Sequence, residues 1–194
     1  RVLFRSPGAE SLLDYANKQT LETKVTLLVQ VLQALIYVHR RGMIHRDLKP
    51  GNVLVFEGNV KVLDFGLSTD IEQATGTVGT LAYMPPEVLF GEPAGPPSDL
   101  FTLGIMAYEM FTGRHPFLNR REQTASPISQ LLNAQLAIDT SPLPPNLAPI
   151  IERMLDRNQE NRYQEAAQII LDLSQASGQK FEVETRATRE SFLQ

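Results

Sequence analysis

Apolar residues recur at helical spacing through one long stretch early in the chain. Val25, Leu28, Val29, Leu32, Leu35, Ile36 and His39 share a face, which predicts a helix over residues 23–40. Leu27, Val31 and Val38 fill other faces, so this helix is expected to be buried on most sides. Gly42 suits its end, where His39 is expected to pack or cap. Gln30 and Gln33 interrupt the apolar run, so no membrane span is expected. A shorter helix is predicted over 10–18, with Leu12, Leu13 and Ala16 on one side. The period then changes. Residues 53–56 and 60–63 are β-branched or apolar runs, and Glu57-Gly58-Asn59 between them is turn chemistry, so a hairpin is predicted.

The second half of the chain is helical in pattern. Ser98 is expected to cap a helix running to about Thr112, with Gly113 as its stop. Leu100, Phe101, Leu103, Ile105, Met106, Ala107, Met110 and Phe111 make that helix apolar nearly all round, which predicts the central buried helix. Amphipathic helices are predicted over 127–137, 147–155 and 163–174. Residues 68–80, 91–97 and 119–126 are polar or rich in Gly and Pro and read as loops.

Between the long helix and the hairpin lies the candidate chemistry, His45-Arg46-Asp47-Leu48-Lys49-Pro50-Gly51-Asn52. Pro50 lacks an N–H and Gly51 is costly in a helix, so this stretch reads as a loop. A carboxylate such as Asp47 can accept a hydroxyl proton. A second carboxylate, Asp64, with the amide oxygen of Asn52 offers hard ligands for Mg2+. A lysine, Lys49, can steady a transferring phosphoryl group. Together they suit phosphoryl transfer from a magnesium nucleotide to an alcohol.

His45 to Asn52 and Asp64-Phe65-Gly66 resemble the catalytic loop and metal-binding motif of eukaryotic-type protein kinases, and the compact 64–87 segment resembles the bacterial Ser/Thr members. The resemblance covers roughly residues 10–175. It implies a protein kinase-like fold, here the mainly α-helical C-lobe with a short β-hairpin bearing the catalytic loop, and ATP and Mg2+ as cofactors. It implies Asp47 as the base that orients the hydroxyl, Lys49 as a γ-phosphate contact typical of Ser/Thr enzymes, Asn52 and Asp64 as Mg2+ ligands, and Leu54 as the floor under adenine. Thr80 resembles the threonine that bonds near the catalytic Asp and Lys. His45 is expected to pack beneath the loop. Asp99 is expected to bond the catalytic-loop backbone, and Glu87 to pair with Arg162. Thr75 and Thr77 are candidate phosphorylation sites whose phosphate would pair with Arg46. His115 is expected to be structural.

Composition narrows the setting. Among 194 residues, 42% are hydrophobic and 21% charged, ordinary for one globular domain. A net charge of −4 gives no support to nucleic-acid binding. The absence of cysteine excludes disulfides and thiolate metal sites and fits a cytoplasmic location. Residues 1–6 resemble a translated sequencing adapter, so 1–9 are expected to be non-native or a hinge remnant. Residues 176–194 read as a linker, compatible with a further sensor or ATPase domain downstream. No Gly-rich phosphate loop, strand lysine or partner helix glutamate is found, so the N-lobe is expected to be absent and this fragment inactive alone. A partner-binding pseudokinase is the alternative, which a degraded strand lysine upstream would favour. A small-molecule kinase fits the 80–87 segment and Asp99 less well.

Overall fold

The computed structural model describes residues 8–63, 81–118 and 138–184. The N-terminal piece starts with a two-residue strand, β1 (Glu10–Ser11), and runs directly into α1 (Leu12–Ala16). Ser11 caps α1 by accepting from the Asp14 N–H at 3.2 Å. The helix predicted over 10–18 is therefore shorter than expected, because its first residues pair with a strand instead. The next helix, α2 (Leu21–His39), begins two residues earlier than predicted, with Thr20 accepting from Thr23 N–H. Gly42, at φ +69°, turns the chain out of α2.

The hairpin forms with β2 (Val53–Phe56) paired antiparallel to β3 (Asn59–Val62). β1 adds to the free side of β2, giving a three-stranded sheet of order β1-β2-β3. Gln30 of α2 pins the hairpin turn: its amide nitrogen donates to Gly58 C=O at 3.0 Å, and its oxygen accepts from Val60 N–H at 2.8 Å. One side chain thus satisfies two backbone groups that the tight turn would otherwise leave to water.

The remaining described elements are α3 (Pro86–Leu89), α4 (Pro96–Thr112), α5 (Ala148–Met154) and α6 (Ala166–Ser177). α4 starts earlier than predicted. Pro96 and Pro97 occupy its first turn, where no N–H is needed. Ser98 is consequently inside the helix and not its cap residue, which is Gly95; its hydroxyl still reaches back to accept from Gly95 N–H at 3.1 Å. Gly113, at φ +70°, ends the helix as expected. The last helix is shifted three residues toward the C-terminus relative to the pattern. The helix predicted over 127–137 lies outside the described residues.

The core is one cluster built on α2 and α4. Leu28, Leu32 and Leu35 meet Leu100, Phe101, Leu103 and Met106, with Ile151, Met154, Ile169, Ile170 and Leu173 closing the far side. Gly104 is where α4 comes closest to the residues of α5: a Cβ there would lie 2.9 Å from the Met154 Cβ. By length and composition α2 could cross a membrane, which the sequence reading did not expect; half of that apolar window is buried inside this fold. The region read as a linker from 176 onward begins packed. Phe181 and Val183 lie against the core, Gln33 donates to Glu182 C=O at 2.7 Å, and Arg40 pairs with Glu184.

Candidate active site

The loop between α2 and β2 is shaped from below by Asp99, in the first turn of α4. Its Oδ2 accepts from His45 N–H at 2.8 Å and its Oδ1 from Arg46 N–H at 3.0 Å. Arg46 is held at φ +65°, a left-handed conformation that costs an ordinary side chain on the order of 1–3 kcal/mol. The two bonds to Asp99 offset that strain. His39, from the end of α2, donates Nε2–H to Asp99 Oδ2 at 2.8 Å, with both side chains nearly buried. His39 therefore packs near the helix end as expected, and it also completes the anchor of the loop. Nothing in its helical spacing signals that second role, because its partner lies sixty residues away.

His45 is fully buried. Its Nε2 donates to Leu63 C=O at 2.9 Å and its Nδ1 faces the Asp47 N–H at 3.3 Å. Leu63 N–H donates to Asn52 C=O at 2.8 Å. The residue just before position 64 is thus held on both its backbone groups by the loop. Asp64 itself lies outside the described residues, as do Thr75, Thr77 and Thr80.

Three of the expected site residues come together. Lys49 Nζ lies 2.9 Å from both carboxylate oxygens of Asp47. Asn52 Nδ2 donates to Asp47 Oδ2 at 2.9 Å and to Asp47 C=O at 2.8 Å. A one-turn 3-10 helix, Pro50–Asn52, swings Asn52 back beneath Asp47. Asp47 keeps 19% of its side chain exposed and Lys49 31%, so the carboxylate is oriented yet open to an incoming hydroxyl. Both bonds of Asn52 use its nitrogen. Its amide oxygen therefore faces away from Asp47, a hard donor of the kind Mg2+ takes. Among the described residues no cluster of three acidic or imidazole groups could hold a metal.

Leu54 is half-buried on β2. It lines an open cleft of about 610 Å3 with Gly51 and with Ala9, Glu10, Ser11, Asp14, Asn17 and Lys18. Lys18 and Glu10 pair across it at 2.5 Å.

A second charged constellation is built around Glu87 and Arg162. Arg162 donates from Nη1 and Nη2 to the two oxygens of Glu87, each at 2.8 Å. Its other donors reach Asp156, Arg157 and Pro97 carbonyls. All five N–H groups are used, and the guanidinium lies over the Phe101 ring at 4.5 Å. Ser98 donates to Glu87 at 2.7 Å. Burial alone would raise the Glu87 pKa; the bonds from Arg162 and Ser98 outweigh it and hold the carboxyl below its ordinary range.

This arrangement agrees with comparison to known sequences. The family described as "Protein kinase domain" matches residues 7–173. This chain belongs to the protein kinase family. Curated relatives in that family include the serine/threonine-protein kinase PknB of Mycobacterium leprae, 35% identical over 165 residues. The probable serine/threonine-protein kinase PknB of Bifidobacterium longum is 36% identical over 159 residues. These alignments take in 77% and 76% of this chain and 25% and 23% of those kinases, so the chain spans about a quarter of their length. A striated muscle preferentially expressed protein kinase of Danio rerio is 42% identical over 105 residues, covering 51% of this chain and 4% of that kinase. The protein kinase fold and the bacterial Ser/Thr type expected from the sequence are thereby shown.

Proposed function

We propose that this chain is the helical C-lobe of an enzyme that moves the γ-phosphoryl group of ATP to Ser or Thr hydroxyls of protein substrates. The observation that carries this is the oriented, half-open Asp47 carboxylate, bonded by Lys49 and Asn52 over a backbone fixed by Asp99. Asp47 accepts the hydroxyl proton as the substrate oxygen bonds to phosphorus and the bond to the ADP leaving oxygen breaks. Lys49 offsets negative charge on the transferring group. Asn52 and Asp64 would hold Mg2+, which when bound neutralises phosphate charge. The Leu54 cleft, of a size usual for ligand sites, would take the base. Thr80 would act beside Asp47, and Thr75 or Thr77 would carry a regulatory phosphate. The cysteine-free composition supports a cytoplasmic setting.

The test is phosphate transfer from labelled ATP to protein by the complete gene product, with Asp47→Asn as control. Acid-stable label on Ser or Thr, lost in the variant, is the expected result. Equal labelling by both proteins would remove Asp47 from the chemistry. Partner binding without any transfer would favour the pseudokinase reading. We also propose that the nucleotide's other contacts come from chain upstream of this one. The 194-residue chain alone then binds Mg-ATP weakly, and a micromolar affinity by titration calorimetry would contradict this.

A further inference from the structure

His115, in the turn after α4, is a histidine whose every polar atom is spent on backbone. Its Nε2–H donates to Ala82 C=O at 3.0 Å, and its Nδ1 accepts from Phe117 N–H and Leu118 N–H, each at 3.2 Å. Its ring meets Tyr83 edge-on, with centroids 5.7 Å apart. It therefore ties the 115–118 turn to residues 81–84. That segment is gripped twice more from α4: Thr102 donates to Tyr83 C=O at 2.9 Å, and the Tyr83 hydroxyl donates to Glu109 at 2.6 Å.

The placement of these grips on α4 matters. Asp99 holds the backbone of residues 45 and 46, and Thr102 holds that of residue 83. Three residues along a helix amount to a rise of about 4.5 Å. The 81–84 segment thus runs beside the loop that carries Asp47. None of its residues lines the Leu54 cleft. A polypeptide that brings a hydroxyl to Asp47 would therefore meet this segment, whereas a nucleotide in the cleft would not.

We propose that His115 is a positioning residue that sets the backbone of residues 81–84 for the protein substrate, acting through Ala82 and Tyr83. This rests on the kinase reading above. Burial favours the uncharged imidazole, which the two N–H donors facing Nδ1 require. The contact is selective for the ring: glutamine can place a donor near the Nε2 position but cannot also accept at Nδ1, and asparagine does the reverse.

The experiment compares wild type with His115→Ala, His115→Gln and His115→Asn in the complete gene product. Initial rates are taken against a protein substrate and, separately, against ATP. His115→Ala and His115→Asn are expected to raise KM for the protein about tenfold, the scale of one or two lost hydrogen bonds, with KM for ATP unchanged. His115→Gln is expected to recover most of that loss. Wild-type KM values in the alanine variant, or equal rises for protein and ATP, would overturn the proposal. Amide hydrogen exchange separates it from the kinase reading. In His115→Ala, residues 81–84 should exchange faster while residues 45 and 46 stay protected, whether or not phosphate transfer is seen; unchanged exchange at 81–84 would sink the clasp itself.

Discussion

Among the ion pairs of the described residues, the Asp47–Lys49 and Glu87–Arg162 pairs are built oppositely. Asp47 and Lys49 are two residues apart, 19% and 31% exposed, and joined within one loop through a single ammonium. Glu87 and Arg162 are 75 residues apart, 4% and 0% exposed, and joined by two bonds in a buried site shared with Ser98 and Phe101. A lysine ammonium is a point charge that can turn toward a new partner, whereas a guanidinium fork with five satisfied donors cannot. The first pair is the one proposed to meet the substrate; the second joins residues 75 apart in sequence. An ion pair's contribution to stability and its capacity for chemistry are thus in opposition, and exposure decides which it has.

The largest expected effect falls on the open pair, and it is on rate. Asp47→Asn should lower phosphate transfer by about 10²–10⁴, the scale of a lost proton acceptor. Its melting temperature should stay close to wild type, because a partly exposed pair contributes at most about 1 kcal/mol. A variant that melts far lower would erase the contrast. Glu87→Ala should do the opposite. It strands a fully buried Arg162, at a cost of about 3–5 kcal/mol, visible as a large drop in the thermal midpoint. Superimposable melts would show that the buried pair anchors nothing.

Acid should resolve the buried groups by their windows, a smaller effect. Glu87 has a depressed pKa in the folded state, so its contribution is present above its ordinary 4.5 and is lost as pH falls through the lower folded value. Glu87→Gln should flatten that part of the stability curve. His115 is displaced by burial from 6.5 down to about 4. The unfolded chain therefore binds that proton first. Its contribution is complete above 6.5 and is lost progressively toward about 4, a slope that His115→Gln should remove without touching the Glu87 window. Denaturant melts between pH 3 and 7 read both, and a single shared window would break the assignment.

Much of the site was readable because the loop's residues are local. His45 to Asn52 lie within one short stretch, so their identities and spacing already imply a carboxylate with a lysine and an amide beside it. The Asp99 and Glu87 contacts were expected only through the family resemblance, since no local pattern joins residues that far apart. Ser98 shows the limit of a local rule. It is a good cap residue by type, yet two prolines before it take the helix start, and its hydroxyl serves both Gly95 and Glu87. The partners of His39, Gln30 and His115 gave no signal, because each acts on backbone or side chains brought near only by folding.

By itself the sequence settled the main helical periods, the hairpin, the loop between them and the two glycine turns, all of which depend on neighbours within a turn or two of chain. Tertiary structure alone decided that 10–11 join a sheet, that residues through Glu184 pack on α2, and that one helix, α4, anchors both the catalytic loop and the segment beside it. The reason is physical. Local preferences are set by backbone sterics and side-chain type, whereas a hydrogen bond between distant residues exists only after the core has closed around it and removed the water that would compete.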